Sequence, residues 1–308
     1  MNNSNRTAIS IGISFYNAEN TLLDAVRSIF AQTHENWELI LVDDGSTDRS
    51  LEIAKSIDDP RISVYSDGQN KRLATRLNQI AKLAKYDFLA RMDADDLVSP
   101  ERLEKQLKVL LSNPEIDLVS TGVCSLTDNY EPVGIRCVAE NHFITAKNLL
   151  AGGSGIVHAS LLGRREWFLR NPYKESMLKS QDTNLWVRSY SKDDLNVAFI
   201  PEPLYYYRED GNVTQEQLLL AYKMGRHTLV SDAKHGFNLI IKIRTLIDNL
   251  VKTFIVKLLP HYALKLARSR RNHNALDAVQ KDKLASEIAY IRDYKIPLKA
   301  IKKEASIE

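Results

Sequence analysis

The chain is poor in cysteine and has no long apolar run. Its 308 residues include two cysteines, Cys124 and Cys137, too few for a disulfide framework and spaced unlike a zinc site. The most apolar stretch, residues 237–259, is interrupted by five charged side chains. It therefore falls short of the roughly 18 to 20 apolar residues that a membrane-spanning helix needs. The first ten residues have no apolar signal-peptide core, so we expect a cytoplasmic protein without a transmembrane segment.

Three common catalytic motifs are also missing. The sequence has no G-x-S-x-G turn, no G-x-G-x-x-G fingerprint and no His-x-x-x-His pair. The glycine-rich segment 151–167 lacks the G-K-[ST] ending of a phosphate-binding P-loop. These absences disfavour serine hydrolysis and hydride transfer.

Charge is distributed unevenly along a chain of ordinary globular composition, with 44% hydrophobic and 26% charged residues. Residues 1–212 carry 24 Lys and Arg against 30 Asp and Glu, whereas residues 213–308 carry 18 against 9. Such a basic tail either meets an anionic surface or is simply a solvated helical face. Where the tail meets an anionic surface, we expect membrane lipid and not nucleic acid.

Strand and helix patterns alternate through the first part of the chain. Strands are predicted at 8–17, 37–44, 61–67, 86–96, 116–128 and 196–210, and helices at 20–33, 45–57, 74–84, 99–114 and 181–191. The alternation predicts a mostly parallel α/β sheet with helices on both faces. Ligands of such sheets bind at the carboxyl ends of the strands.

Acidic side chains follow two of these predicted strands. Asp43 and Asp44 end one strand, and Asp93, Asp95 and Asp96 end another in "RMDADD". Alternate strand residues face the same side, so Asp93 and Asp95 can share a divalent cation with ligand phosphates. Carboxylate oxygens favour Mg²⁺ or Mn²⁺ over Zn²⁺. A solvated acidic turn is the alternative.

Several ordered motifs together resemble the inverting, A-type glycosyltransferases of family 2. They are "ISIGISFYNAENTLLDAVRSIFAQTHENWELILVDDGSTDRS", then "NKRLATRLN", then "MDADD" followed by "SPERL". The resemblance covers roughly residues 8–210. It implies a catalytic domain at 1–212, with a nucleotide-sugar half at about 1–98 and an acceptor half at about 99–212. The remainder, 213–308, is a basic helical region.

The resemblance implies a binding site for a nucleotide diphosphate sugar, with UDP as the expected nucleotide. The residues assigned to this donor are Ser14, Tyr16, Asp43, Asp44, Asp67, Arg72, Asp93, Asp95 and Arg208. Asp44 would accept the uracil N–H, while Asp43 holds its loop in shape. Asp95, with Asp93 and Asp96, would bind Mn²⁺ or Mg²⁺, which stabilises the departing diphosphate.

The same resemblance implies an acceptor half with a catalytic base. In "KSQDTNLWVRSY" the base is Asp182, although Gln181 stands where many relatives have Glu. A helix N-cap is the alternative role for Asp182. Gly153, His158 and Trp186 are assigned to the acceptor subsite; the alternative for His158 is a packed or solvated histidine.

The tail contains a predicted helix at 237–259 with one apolar stripe, followed by a cluster of basic residues. The cluster consists of Lys257, Lys265, Arg268, Arg270 and Arg271. The helix either lies at the inner membrane surface or packs on the catalytic domain or another subunit.

The expected function is inverting transfer from a UDP-sugar to a glycan or lipid-linked glycan in bacterial cell-surface polysaccharide synthesis. The alternatives are a sugar nucleotidyltransferase and a catalytically inactive membrane-docking module. A glycosidase is disfavoured because it needs no nucleotide pocket.

Overall fold

A mixed nine-stranded sheet forms the centre of the protein. The computed structural model describes residues 7–209, 214–269 and 275–299. The strands are β1 (Ile9–Phe15), β2 (Trp37–Asp43), β3 (Ile62–Tyr65), β4 (Phe88–Asp93), β5 (Leu97–Val98), β6 (Leu118–Leu126), β7 (Pro132–Arg136), β8 (Leu162–Arg164) and β9 (Val197–Arg208). Their order is β3-β2-β1-β4-β8-β6-β9-β5, and β7 pairs with β6. β1 to β4 are parallel, whereas β8 is antiparallel to both its neighbours.

The register of the parallel strands brings their carboxyl ends to one edge. β1, β2 and β4 are apolar runs buried along almost their whole length, as expected for strands covered on both faces. Phe15 pairs with Asp43 on one side, and Ser14 pairs with Asp93 on the other. The polar residues predicted at the strand ends therefore lie on neighbouring strands.

Helices cover both faces of the sheet. They are α1 (Leu22–Phe30), α2 (Ser50–Ser56), α3 (Arg72–Leu83), α4 (Arg102–Ser112), α5 (Ala146–Ala151), α6 (Arg165–Arg170), α7 (Gln181–Tyr190), α8 (Gln215–Ser231), α9 (Leu239–Leu258), α10 (Pro260–Ser269) and α11 (Ala278–Asp293). One apolar core joins β1 to α1 and α4, and a second joins β2 to α3, α6 and α7. The predicted doubly covered α/β sheet is confirmed.

Two predicted boundaries are wrong near the strand ends. The helix expected at 45–57, capped by Ser46 or Thr47, begins only at Ser50. The loop before it is occupied by side-chain hydrogen bonds: the Ser46 N–H donates to Asp43, and the Ser50 N–H donates to Asp48. The strand expected at 86–96 ends at Asp93. β7 and β8 were not predicted.

The C-terminal region is helical as expected, and part of it packs on the sheet domain. The predicted boundary at residue 213 lies outside the described residues, and α8 follows from Gln215. α11 is anchored by buried Ile288 and Ile291, and Arg292 lies 3.2 Å from Asp24 of α1. No helix among the described residues is long and apolar enough to cross a membrane. Arg270 and Arg271 lie outside the described residues, and only the backbone of Lys265 and Arg268 is described.

Candidate active site

A cleft of about 560 Å³ lies at the carboxyl ends of β1 and β4 and at the end of β9. Five of the predicted site residues line it: Ser14, Tyr16, Asp93, Asp95 and Arg208. Tyr16 is 49% exposed at the cleft, and Asp95 is exposed. The volume is in the usual range for small-molecule sites. The cleft therefore brings the Tyr16 ring, two carboxylates and the Arg208 guanidinium together in one space of the size of a small-molecule site.

Asp96, one of the predicted metal ligands, lies in the core and does not line the cleft. Its side chain is 1% exposed. Its Oδ2 accepts the Tyr205 hydroxyl at 2.7 Å, and its Oδ1 accepts the Arg208 backbone N–H at 2.9 Å. Burial, followed by the charges of Asp95 and Asp93, raises the pKa of Asp96 well above its usual value. Asp96 therefore fixes the end of β9, from which Arg208 reaches the cleft.

Arg208 has a hydrogen-bonding atom that the protein leaves unused. Its Nε is buried and has no hydrogen-bond partner among the described residues. The guanidinium carbon lies 5.0 Å from the centre of the Tyr130 ring. A buried, unpaired N–H is costly unless a ligand completes it, and an anionic oxygen is a suitable acceptor.

The cleft carboxylates fit a hard divalent cation only if the ligand supplies further oxygens. Among residues 7–209, 214–269 and 275–299, no group of three or more His, Cys, Asp or Glu side chains could hold a metal ion. Asp93 is committed to Arg91, with Oδ1 and Nη2 2.6 Å apart. Mg²⁺ commonly binds proteins through one or two carboxylates and completes its shell with water and phosphate. Asp95, with Asp93 beside it, fits that pattern.

The remaining predicted donor residues form a network behind the cleft rather than lining it. Asp44 is 6% exposed and accepts hydrogen bonds from the Lys71 and Arg72 backbone N–H groups and from Arg76 Nε. Asp67 pairs with Lys71 and Arg76, which hold its pKa well below the usual range. A uracil contact from Asp44, as the resemblance implies, would need a lone pair beyond those used here.

Two other predicted residues complete that network without reaching the cleft. Asp43 accepts from the Ser46 N–H and from the Ser66 hydroxyl, so it holds the loop after β2. Arg72 begins α3 with an exposed side chain and a φ of 69°. That left-handed backbone is strained for a non-glycine residue. It lets the Arg72 N–H point at Asp44.

A second polar cluster connects Asp182 to the tip of β4. The charges of Asp93 and of Asp182 both act on Arg91, and with other groups they raise its pKa although burial opposes this. Tyr173 is affected by the same two carboxylates, which add to the effect of burial in raising its pKa. The buried Arg91 is therefore influenced both by Asp93, its ion-pair partner, and by Asp182.

The structure places Asp182 in the first turn of α7. The N-cap position belongs to Ser180, so Asp182 does not take the N-cap role that is the alternative to a catalytic base. Its Oδ1 accepts the Thr183 N–H at 2.7 Å, and its side chain is partly exposed. A carboxylate in the first helical turn is favoured by the helix dipole. The position leaves Asp182 able to accept a proton from a bound hydroxyl.

Two of the three residues predicted for the acceptor subsite, His158 and Trp186, pack against each other in the structure. His158 Nε2 lies 2.6 Å from the Tyr173 hydroxyl, and burial and then Arg91 lower its pKa well below 6.5. Trp186 is 2% exposed and packs its ring on His158. The Trp186 ring lies in the core, and its contact with an acceptor stays a prediction. Gly153 is exposed after α5.

Sequence reasoning missed four side chains that organise the site: Arg76, Arg91, Tyr173 and Tyr205. Arg76 and Arg91 lie within segments with a buried apolar face, "LATRLNQIA" and "FLARMD". A charged residue on a buried face must be paired, so these positions carried a usable signal. Tyr173 is in a loop and Tyr205 in an aromatic run, and neither pattern points to a particular partner.

Comparison with known proteins identifies relatives that cover more than half of the chain. The family model described as glycosyl transferase family 2 matches residues 10–170. The chain is 33% identical to EpsE of Bacillus subtilis over 218 residues, covering 69% of this chain and 76% of EpsE. It is 29% identical over 199 residues to WfgD of Escherichia coli, covering 62% and 74% of the two chains. WfgD is named as a UDP-Glc:α-D-GlcNAc-diphosphoundecaprenol β-1,3-glucosyltransferase.

Solved structures share the fold at low sequence identity. TarS of S. aureus, in complex with UDP-GlcNAc, matches with a TM-score of 0.59 and 14% identity, covering 92% of this chain and 80% of TarS. The mannosyltransferase PcManGT of Pyrobaculum calidifontis, with GDP-Man and Mn²⁺, matches with a TM-score of 0.56 and 15% identity, covering 92% and 84%. The A-type fold expected from the sequence is confirmed.

Proposed function

Because the chain belongs to glycosyltransferase family 2, we propose that it transfers a sugar from UDP to a hydroxyl of a lipid-linked glycan, with inversion at the anomeric carbon. Relatives in O-antigen synthesis, WbnJ by name, and the diphosphoundecaprenol-linked acceptor in the name of WfgD support a role in bacterial cell-surface polysaccharide assembly. The observation that carries the proposal is the shared cleft of Asp93, Asp95 and Arg208 at the strand ends.

The donor diphosphate would lie in this cleft. Arg208, with its unpaired Nε, would bind a phosphate oxygen, and Tyr16 would face the nucleotide base. Asp95, with Asp93, would hold Mn²⁺ or Mg²⁺, which supplies charge neutralisation for the leaving diphosphate. Asp96 would keep Arg208 in place through its backbone N–H.

Asp182 would act as the general base of a single displacement. It takes the proton of the acceptor hydroxyl while that oxygen bonds to the anomeric carbon and the carbon–oxygen bond to the diphosphate breaks. The attack comes from the face opposite the leaving group, so the anomeric configuration inverts. The Thr183 N–H, which donates to Asp182 Oδ1, would help to hold the carboxylate at the start of α7.

Replacing the base separates chemistry from donor binding. Asp182→Asn should lower the rate of sugar transfer by about 10² to 10⁴, the usual contribution of a positioned base, and leave UDP affinity unchanged. Asp193→Asn is a matched control, because Asp193 is 79% exposed and pairs only with His235. UDP release and UDP-induced thermal stabilisation are measured for both. Transfer by Asp182→Asn at the wild-type rate would refute the base assignment.

The same UDP-release assay also tests whether transfer needs a metal ion, and it distinguishes the alternative functions. EDTA should stop transfer, and Mn²⁺ or Mg²⁺ should restore it, whereas metal-independent turnover would remove the role given to Asp95. A sugar nucleotidyltransferase would consume a sugar phosphate and a nucleoside triphosphate and release pyrophosphate instead. An inactive docking module would release no UDP with any nucleotide sugar in a panel that includes GDP-sugars.

We also propose that the protein works at the cytoplasmic face of the membrane. The α9 stripe, defined by Ile243, Ile247, Leu250, Phe254 and Leu258, is between 48% and 62% exposed. Lys242 and Lys257 on the same helix add positive charge. Such a helix binds anionic lipid surfaces. We expect the protein to cosediment with phosphatidylglycerol vesicles and to cosediment less with phosphatidylcholine vesicles. The double variant Phe254→Ser with Leu258→Ser should lose this binding.

A further inference from the structure

A second cavity, of about 420 Å³, reaches the start of α7, the helix that contains Asp182. We call it the basic pocket. It is enclosed by α5, the start of α7, α8 and α9, and it shares no lining residue with the cleft at the strand ends. None of the roles proposed above uses it.

The polar lining of the pocket favours an anion. Lys147, Arg244 and Lys252 contribute three cationic side chains, and Asp248 is the one acidic side chain among its described lining residues. None of the three cations has a salt bridge of 4.0 Å or less to a described carboxylate. Arg244 and Lys252 are eight residues apart on α9, so they lie on the same helix face. Unpaired cations converging on one space are a binding site for phosphate groups.

The apolar lining favours a ligand with a hydrocarbon part. Leu150, Ile240 and Ile241 line the pocket together with the cations. Ile240 is 78% exposed, so it belongs to the rim. One helical turn further along α9 the exposed stripe begins at Ile243. Ile240 on the rim of the pocket therefore lies three residues before the start of the apolar stripe that is proposed to meet the membrane.

The pocket also has the right position relative to the base. Ser180 and Thr183 line it and are three residues apart, so both are on one side of the start of α7. Asp182, between them in the sequence, is turned by about 100° from Thr183 and does not line the pocket. A molecule whose anionic group occupies the pocket would pass over the first turn of α7 to reach Asp182.

We infer that the basic pocket binds the diphosphate of the acceptor, with its lipid chain along the α9 stripe and its sugar towards Asp182. This inference rests on the proposed function for the direction of the sugar. It assigns Lys147, Arg244 and Lys252 to the acceptor rather than to the donor. The nucleotide diphosphate binds separately, in the cleft at the strand ends.

The test measures binding of decyl diphosphate by titration calorimetry in EDTA, so that no metal can hold it in the donor cleft. Arg244→Glu with Lys252→Glu should weaken this binding at least tenfold. Lys55→Glu with Lys281→Glu changes the net charge equally on exposed side chains of α2 and α11 and should bind as the wild type does. Equal affinity of the pocket variant and the wild type would overturn the inference.

Two further measurements identify the source of the phosphate and the role of the pocket. Inorganic pyrophosphate should bind more weakly than decyl diphosphate; equal binding would overturn the placement of the lipid chain. Phosphatidylglycerol vesicles should still bind the pocket variant; if they compete with decyl diphosphate for the wild-type pocket, the occupant is a membrane headgroup and the inference fails.

Enzyme assays then separate this inference from the proposed function. The pocket variant should raise KM for a sugar linked to decyl diphosphate at least tenfold and leave KM for the nucleotide sugar unchanged. If the wild type releases no UDP with any donor, the proposed function fails, whereas loss of decyl diphosphate binding in the variant would still establish the pocket. If transfer proceeds with an unchanged acceptor KM, the pocket assignment fails and the proposed function stands.

Discussion

Arg76 is the side chain whose removal should most clearly test how the site is built. It is 1% exposed and donates from Nε to Asp44 at 2.8 Å and from Nη2 to Asp67 at 2.7 Å. Nη1 also donates to the Gln79 side chain at 2.9 Å. Arg76→Met retains much of the length and apolar character of the stem but removes every one of these donors. We therefore expect the variant to expose the cost of an unpaired carboxylate behind the cleft.

The size of the expected loss in the free energy of unfolding depends mainly on Asp44. Asp67 is 38% exposed, so water can replace its lost partner and the contribution of that pair is small. Asp44 is 6% exposed and keeps only the Lys71 and Arg72 backbone donors. Breaking a buried pair by removing one partner costs about 3 to 5 kcal/mol. Because two donors remain, we expect a loss of about 3 kcal/mol in the free energy of unfolding.

Urea denaturation followed by tryptophan fluorescence measures this loss. The matched control is Arg49→Met, since Arg49 pairs with Glu52 on the surface, where the two side chains are 63% and 44% exposed. The control should change the free energy of unfolding by less than about 1 kcal/mol. Adding Asp44→Asn to Arg76→Met should recover part of the loss, because the buried charge is then gone. If Arg76→Met is no more costly than Arg49→Met, the Asp44–Arg76 pair does not organise the loop.

Three further predictions concern the core beneath the site. Burial lowers the pKa of His158 in the folded protein, so as the pH falls the unfolded chain takes up a proton at this histidine before the folded chain does. The free energy of unfolding should therefore decrease below about pH 6.5, by up to ~1.4 kcal/mol per pH unit. Urea titrations should show a flatter pH dependence in His158→Gln. Tyr205→Phe removes the donor to buried Asp96 and should cost about 1 to 3 kcal/mol by the same assay, with Tyr290→Phe, an exposed ring, near zero. Gly122→Ala should lower the melting temperature, because its Cβ would lie 2.4 Å from the Pro201 carbonyl oxygen; Gly225→Ala, at 3.4 Å from a side-chain atom, should not.

The sequence predicts the sheet well because its strands carry their own signals. β1, β2 and β4 are apolar and buried on both faces, so composition alone distinguishes them from the helices between them. β8 is three residues long and follows a glycine-rich segment, and only its pairing with β4 and β6 makes it a strand. Such short elements depend on tertiary contacts that no local pattern records.

The sequence predicts which residues lie at the strand ends but not which way their side chains point. "DADD" correctly marks a strand end, yet it cannot tell that Asp95 is exposed in the cleft while Asp96 turns inward to Tyr205. The turn after β4 ends the strict alternation on which the prediction depended. "DD" in the β2 loop has the same ambiguity, because Asp44 meets Arg76 of α3 only in the folded chain.

The buried arginines offset part of the acidic charge at the strand ends. The sheet domain has an excess of acidic residues, and several of them converge on one edge. Arg76 balances Asp44 and Arg91 balances Asp93, and both guanidinium groups lie beneath the surface. Each pairing reduces the repulsion among neighbouring carboxylates without covering the cleft. Asp95 differs from them because it is exposed in the cleft itself, so under the proposed function a cation that arrives with a diphosphate would meet it at the surface while the remaining acids stay in place.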